Sequence, residues 1–283
     1  MRCLQATLNA AGFSSGPVDG AFGRVTTGAV VAYQRARGLV VDGVVGRQTG
    51  TALGIWSGAA TPATPPAPPI CTPPAGVPAS ARQVVVVTAS GSTADVDLLV
   101  LQGTEWTCAE TDMAGRVGRN GVRALADRRS GDGTTPAGTF PLGTMTAPDG
   151  QTFQFFGNGA DPGVPGSWRQ VRPGDCWGAT PGTAAYNVLV PRPASACLGE
   201  DEYLPAITGA YSAAALIGAN MGPDRSGDQP GEPALAAAIF LHRHSYSATG
   251  GTTPTAGCVS LAADDLATVL RHLVPGEAWF VVR

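Results

Sequence analysis

The chain has 283 residues, a formal net charge of −3 and only 14% charged residues. That balance lacks the basic footprint a nucleic-acid binder needs, and no apolar run nears the roughly 20 residues that span a bilayer. The length suits one catalytic domain of ordinary size with a small accessory module. All 18 positive residues are arginine, and there are six cysteines and three histidines. No two cysteines are spaced as C-x-x-C, so a structural zinc site is not expected. Scattered cysteines in a Gly/Pro-rich chain fit the disulfides of an exported protein. Met1-Arg2-Cys3 opens no signal segment, so an extracytoplasmic location would require an incomplete N-terminus.

Residues 1–57 carry an internal repeat. Val18-Asp19-Gly20-Ala21-Phe22-Gly23-Arg24-Val25-Thr26 recurs as Val41-Asp42-Gly43-Val44-Val45-Gly46-Arg47-Gln48-Thr49. Asp-Gly suits a tight turn, and the Thr of each copy is expected to cap the helix that follows. A first helix with Leu4, Leu8 and Ala11 at helical spacing precedes them. A second is expected over about 27–37, with Val30, Tyr33 and the Arg37 stem inward, and a third after Thr49. Leu4-Gln5, Leu8-Asn9, Gly12-Phe13, the two Asp-Gly-x-x-Gly-x-x-Thr copies and Tyr33-Gln34 resemble the type-1 peptidoglycan-binding domain. Residues 58–82, rich in Ala, Thr and Pro, lack periodicity and are expected to form a semi-stiff tether.

From 83 onward strand signals dominate. Val84 to Thr88 and Val96 to Leu101 read as a hairpin around 89–93. Further strands are expected at Glu105-Trp106, Val188 to Val190, Ala236 to His244 and Ala278 to Val282. Helices are expected over about 262–273 and, more weakly, about 211–219. A mainly β, sandwich-like domain over 83–283 follows.

The chemistry concentrates between His242 and Cys258. A thiol is a good nucleophile near neutral pH when an imidazole or a helix N-terminus favours its thiolate. Strand alternation puts Phe240, His242 and His244 on one face, the histidines about 6.6 Å apart, and spacing does not say which serves the thiol. His272 reads as structural. Ser260 is expected to cap a helix starting near Leu261, with Cys258 just ahead of its N-terminus. Gly257 and Cys258 N–H groups are expected to form an oxyanion hole. The plain alternative makes Cys258 one half of a disulfide.

Ile239-x-x-His242 followed by Thr255-x-Gly257-Cys258-Val259 resembles the signature of YkuD-type L,D-transpeptidases. Gly118-Arg119-Asn120-Gly121 and Arg128-Arg129-Ser130-Gly131-Asp132-Gly133-Thr134-Thr135-Pro136-Ala137-Gly138-Thr139-Phe140 resemble that family's upstream strand-turn-strand segment. The chain departs from the family at Ala256, where many members carry His, and at Ser260, where many carry Arg or Asn. The resemblance implies Cys258 as nucleophile, His242 as base, Gly257, Thr255 and His244 in support, and neither metal nor cofactor. It implies cross-linking of peptidoglycan through a thioester on a stem tetrapeptide donor, with glycan strands engaged by the N-terminal module. Water as acceptor would make the same site an L,D-carboxypeptidase, and loss of turnover would leave a non-catalytic wall-binding protein. With Cys258 reserved, Cys176–Cys197 and Cys71–Cys108 are the expected disulfides, leaving Cys3 unpaired. The long stretch from about 145 to 235, with Asp175-Cys176-Trp177, Tyr186-Asn187 and Glu200-Asp201-Glu202-Tyr203, shapes the donor groove, covers it, or is scaffold.

Overall fold

The computed structural model describes residues 1–39, 41–56, 69–223 and 225–283. The chain divides into two compact units, Met1–Ala67 and Pro68–Arg283. Residues 58–68 of the expected tether lie outside the described residues. Its remaining part belongs to the second unit, where Cys71 is disulfide-bonded to Cys108 and its N–H donates to Trp106 O (2.9 Å).

In the first unit α1 (Arg2–Ala10), α2 (Arg24–Ala36) and α3 (Arg47–Ala52) enclose Leu4, Leu8, Ala29, Val30, Tyr33 and Leu53. The expected threonine caps do not form. Gly23 and Gly46 hold the N-cap positions, and Thr26 and Thr49 lie inside the helices. Both threonines instead serve a buried glutamine. Gln5 Nε2 reaches Asp19 Oδ1 (2.8 Å), Ala21 O (3.0 Å) and Thr26 Oγ1 (3.4 Å), while Gly20 N–H donates to Gln5 Oε1 (2.8 Å). Gln34 repeats the set with Asp42 (2.7 Å), Val44 O (3.0 Å), Thr49 (3.0 Å) and Gly43 N–H (2.9 Å). The repeat thus includes the helix glutamine that reads each Asp-Gly turn.

The second unit is built on the strands β1 (Gln83–Ser90), β2 (Thr93–Gln102), β3 (Glu105–Arg116), β4 (Val122–Ala124), β5 (Thr135–Pro141), β6 (Met145–Thr146), β7 (Thr152–Phe153), β8 (Phe155–Gly157), β9 (Trp168–Gln170), β10 (Asp175–Trp177), β11 (Leu189–Pro191), β12 (Glu202–Tyr203), β13 (Ala214–Leu216), β14 (Phe240–Arg243), β15 (Val259–Leu261) and β16 (Ala278–Val282), with α4 (Ala263–His272) before the last. Eleven form one sheet in the order β4-β5-β16-β1-β2-β3-β15-β14-β13-β8-β9. Val85 and Val87 pack into one core while Val84 and Val86 pack into another, so β1 is buried on both faces and shows no alternation.

Three expectations change. The β1–β2 hairpin closes tightly, with Ser90 paired to Thr93 around Gly91 and Ser92. The weak helix near 211–219 is instead a short 3-10 turn, Ala210–Ser212, followed by β13. Ala214, Ala215 and Leu216 are each wholly buried between β8 and β14, and a strand covered on both faces has no period to read. Ser260 lies in β15, not at a helix cap. The helix begins at Ala263 behind Ala262, so no helix N-terminus adjoins Cys258.

Candidate active site

Parallel pairing of β14 with β15 sets Leu241 against Val259 and His242 against Ser260. Cys258, one residue before β15, therefore lies level with Phe240, whose N–H points at the sulfur (Phe240 N to Cys258 Sγ 3.4 Å). The thiol itself donates to Ala238 O (3.1 Å). Cys258 is buried and unpaired, which removes the disulfide alternative, and Cys176–Cys197 and Cys71–Cys108 are both formed. Burial pushes the Cys258 thiol up to about 12, with the nearby Glu202 carboxyl adding to the rise and the Phe240 N–H opposing it.

The loop before the cysteine is fixed by two threonines. Thr255 Oγ1 donates to Cys258 O (2.6 Å), and Thr135 Oγ1 donates to the same carbonyl (3.2 Å) while accepting from the buried Gly118 N–H (2.8 Å). Gly118 has no room for a side chain: a Cβ there would fall 2.3 Å from Gly133 O. Asp132 organises the turn between them. Its Oδ1 accepts from Thr134 N–H (2.8 Å) and Thr134 Oγ1 (2.6 Å), and its Oδ2 from Arg129 N–H (2.9 Å). The two upstream motifs are therefore the mount for Cys258. The Gly257 N–H, expected to face a reacting carbonyl, donates instead to Thr255 Oγ1 (3.2 Å).

The two histidines separate clearly. His244 is held through Nδ1 by Ser260 Oγ (2.9 Å) and through Nε2 by Ala114 O (3.1 Å), so both its nitrogens are occupied. This also accounts for the buried Ser260. His242 Nδ1 lies 2.6 Å from Arg243 O. A carbonyl only accepts, so Nδ1 carries the proton and Nε2 holds a free lone pair. Burial lowers its pKa to about 4, which keeps the ring neutral near pH 7. His272 bonds Thr268 O on its own helix (2.9 Å).

Cys258 stands between two cavities. One, of about 210 Å³, is lined by His242, Tyr211, Glu202, Thr255 and Ala256 as well as the cysteine. The other, of about 200 Å³, is lined by Arg119, Arg128, Glu202, Ile239, Gly257 and again Cys258. Glu202 borders both, and the Tyr211 hydroxyl donates to it (2.5 Å). Burial pushes the Glu202 carboxyl up to about 7, the Tyr211 hydroxyl opposing the rise, and burial likewise raises the Tyr211 phenol. Tyr211 also meets the His242 ring edge-on at 5.3 Å. Beneath them Phe240 is ringed by Trp177 (4.9 Å), Phe156 (5.0 Å) and Tyr211 (5.5 Å). Asn187 ties this floor to β14: its Oδ1 accepts from Trp177 Nε1 and from Ala238 N–H, both at 3.1 Å.

The 145–235 stretch thus builds one wall of the site. Sequence reasoning placed Arg128 in the upstream segment and Glu202 in the 145–235 stretch without giving either a role, and it passed over Tyr211, because such residues carry no spacing signal of their own.

A family model of the L,D-transpeptidase catalytic domain, YkuD, matches residues 113–282, more than half of the chain. The chain belongs to this family. A peptidoglycan binding domain model matches residues 1–53, so the L,D-transpeptidase domain follows a domain of that family in one chain. Among solved structures, an L,D-transpeptidase (Yku) from Stackebrandtia nassauensis is 13% identical, with 100% of this chain and 89% of that one covered and a TM-score of 0.29. A fused Zn-dependent amidase/peptidase/peptidoglycan-binding domain-containing protein from Clostridium acetobutylicum is 15% identical, with coverage of 100% and 94% and a TM-score of 0.30. No match is found among curated protein sequences. No described helix is long and apolar enough to cross a membrane.

Proposed function

We propose that this L,D-transpeptidase-type enzyme works through a Cys258 thioester on a peptidoglycan stem tetrapeptide, outside the cytoplasm. The observation that carries the reading is that Cys258 and His242 line one cavity, with the His242 lone pair at Nε2 left free. Cys258 Sγ attacks the carbonyl of the third residue, and its proton passes to His242 Nε2. The C–N bond to the terminal D-Ala then breaks, and His242 returns the proton to the departing amine. An acceptor amine next attacks the thioester, regenerating the thiol. With Gly257 N–H engaged by Thr255, the Cys258 N–H is the remaining backbone donor for the oxyanion.

The resting pair is neutral on this reading. A thiol near 12 beside an imidazole near 4 holds its proton until the C–S bond begins to form. The two cavities on either side of Cys258 suit a donor on one side and an acceptor on the other. His244 and Thr255 act in support, the first by packing β15 and the second by fixing the cysteine carbonyl.

Intact-protein mass after incubation with a carbapenem tests the proposal. One covalent adduct is expected on the native chain and none on Cys258→Ala; an absent adduct, or one that survives in the variant, rejects it. His242→Ala should abolish turnover of a tetrapeptide donor and His244→Ala should reduce it through the fold. Equal activity after His242→Ala would refute the assignment of the base.

A further inference from the structure

The Arg128 guanidinium is 2% exposed, yet most of its hydrogen-bonding capacity is unused. Nη1 donates to Leu235 O (2.5 Å), while Nε has no partner at all. Nη2 has only a long 3.7 Å approach to Asp132 Oδ1, an oxygen already bonded twice by Thr134. A buried cation left this way is costly, and native proteins rarely leave one unanswered. Among the described groups nothing answers it, but a cavity does adjoin it.

That cavity is the one of about 200 Å³ lined by Arg128 and Cys258 and not by His242. The guanidinium lies beside the Gly257-Cys258 step: a Cβ at Gly257 would be in ordinary contact with Arg128 Nη2 (3.5 Å) and tight against Ile239 Cδ1 (3.3 Å) and Thr134 O (3.1 Å). The exposed Arg119 stands at the same cavity. Of the acids on the wall, Glu202 is engaged by Tyr211 and borders the His242 cavity as well. Burial lowers the Arg128 pKa and Asp132 offsets this, but a guanidinium stays charged at any working pH.

We infer that Arg128 is a carboxylate-binding residue of the donor site, holding a substrate carboxylate beside Cys258 through Nη2. The inference rests on the proposed tetrapeptide donor, whose terminal residue carries an α-carboxylate three bonds from the scissile carbonyl carbon. A donor whose third residue bears a side-chain carboxylate offers a second such group to the same nitrogen. Aspartate 132 then serves to orient the guanidinium and not to neutralise it, since its own lone pairs go to Thr134 and Arg129.

The test compares three synthetic donors on the full chain: the tetrapeptide acid, its terminal carboxamide, and the acid with the third-residue side-chain carboxylate amidated. Release of the fourth residue is followed for the native chain, Arg128→Gln and Arg128→Lys. The native chain should lose roughly 10- to 100-fold in kcat/KM on whichever amide removes the recognised group. Arg128→Gln should lose a similar factor on the acid and nothing further on that amide, with partial recovery in Arg128→Lys. The identity of the sensitive amide says which carboxylate is held. Native turnover that is equal on all three donors overturns the inference even if the variants do not fold. An equal Arg128→Gln loss on every donor also overturns it, since the guanidinium would then act on the thiol or the fold. Failure of the underlying reading looks different: the native chain would release nothing from any donor.

Discussion

Replacing Gln34 with alanine should bring the N-terminal module close to unfolding while leaving the catalytic unit intact. Gln34 is 1% exposed, and its amide has two protons and one carbonyl oxygen to place. The protons go to Asp42 Oδ1 and Val44 O, with Thr49 Oγ1 as a third neighbour, and the oxygen accepts the buried Gly43 N–H. Losing the Val44 bond costs about 1 kcal/mol, and orphaning the Gly43 N–H costs about 1–3 kcal/mol. The sum, about 2–4 kcal/mol, approaches the roughly 3–5 kcal/mol that a core of this size supplies. Hydrogen exchange read by mass spectrometry on the intact chain is the assay. Peptides from α2 should lose protection by roughly 30- to 1000-fold, since 1.36 kcal/mol is one decade. Peptides from β1 and β16 should be unchanged. Gln5→Ala should reproduce the effect through Asp19, Gly20 and Ala21. A loss under about fivefold in α2 would refute the claim that the glutamine, and not the Asp-Gly turn alone, holds each repeat.

Four shorter predictions follow from the same structure. The rate of Cys258 alkylation by a small haloacetamide should climb steadily with pH beyond 9, because burial holds the thiol near 12; a plateau near pH 7 would mean a resting thiolate–imidazolium pair. Thr135→Val keeps the shape but strands the buried Gly118 N–H, so urea unfolding of the catalytic unit should register a loss of about 1–3 kcal/mol. The Glu202 carboxyl is raised from 4.5 to about 7, so the unfolded chain gives up that proton first and stability should fall between those pH values. Glu202→Gln should flatten the slope, which is on the order of 1–3 kcal/mol across the window, and an unchanged slope would place the proton elsewhere. The Asp42 carboxyl is lowered by the Val44 N–H and by Gln34, so its contribution is complete above 3.8 and should be lost only as pH falls below that, read as the acid transition of the first unit.

What was legible in the sequence was whatever recurs at fixed spacing. The Asp-Gly repeat, the Val84 to Leu101 hairpin, α4 with Leu266, Val269 and Leu270 inward, and the closing strand at Ala278 all carry a period or a turn signal. The His242–Cys258 pair was legible from its motif, and the parallel register, which levels residues eighteen apart, sets Cys258 beside Phe240 and two residues from His242. What could not be read was the source of their surroundings. The thiol environment was expected from a helix N-terminus, but the chain inserts β15 between Cys258 and α4, and a three-residue strand of buried Val, Ser and Leu has no pattern that distinguishes it from a helix start.

The same limit explains why His242 and His244 looked equivalent. They share a strand face by alternation, and only the third dimension supplies Ser260 and Ala114 to occupy both nitrogens of His244. Ser260 and Ala256 looked like losses from the site's shell. Ser260 in fact holds the second histidine, which frees His242 to be the only one beside the thiol cavity. Ala256 leaves open wall shared by the two cavities, and the charged groups there come from elsewhere: Glu202 from the 145–235 stretch and Arg128 from the turn before β5. A site whose polar groups arrive from distant turns can keep its chemistry while its local motif drifts, so the proposed nucleophile and base, Cys258 and His242, are the parts that motif reading should be expected to find first.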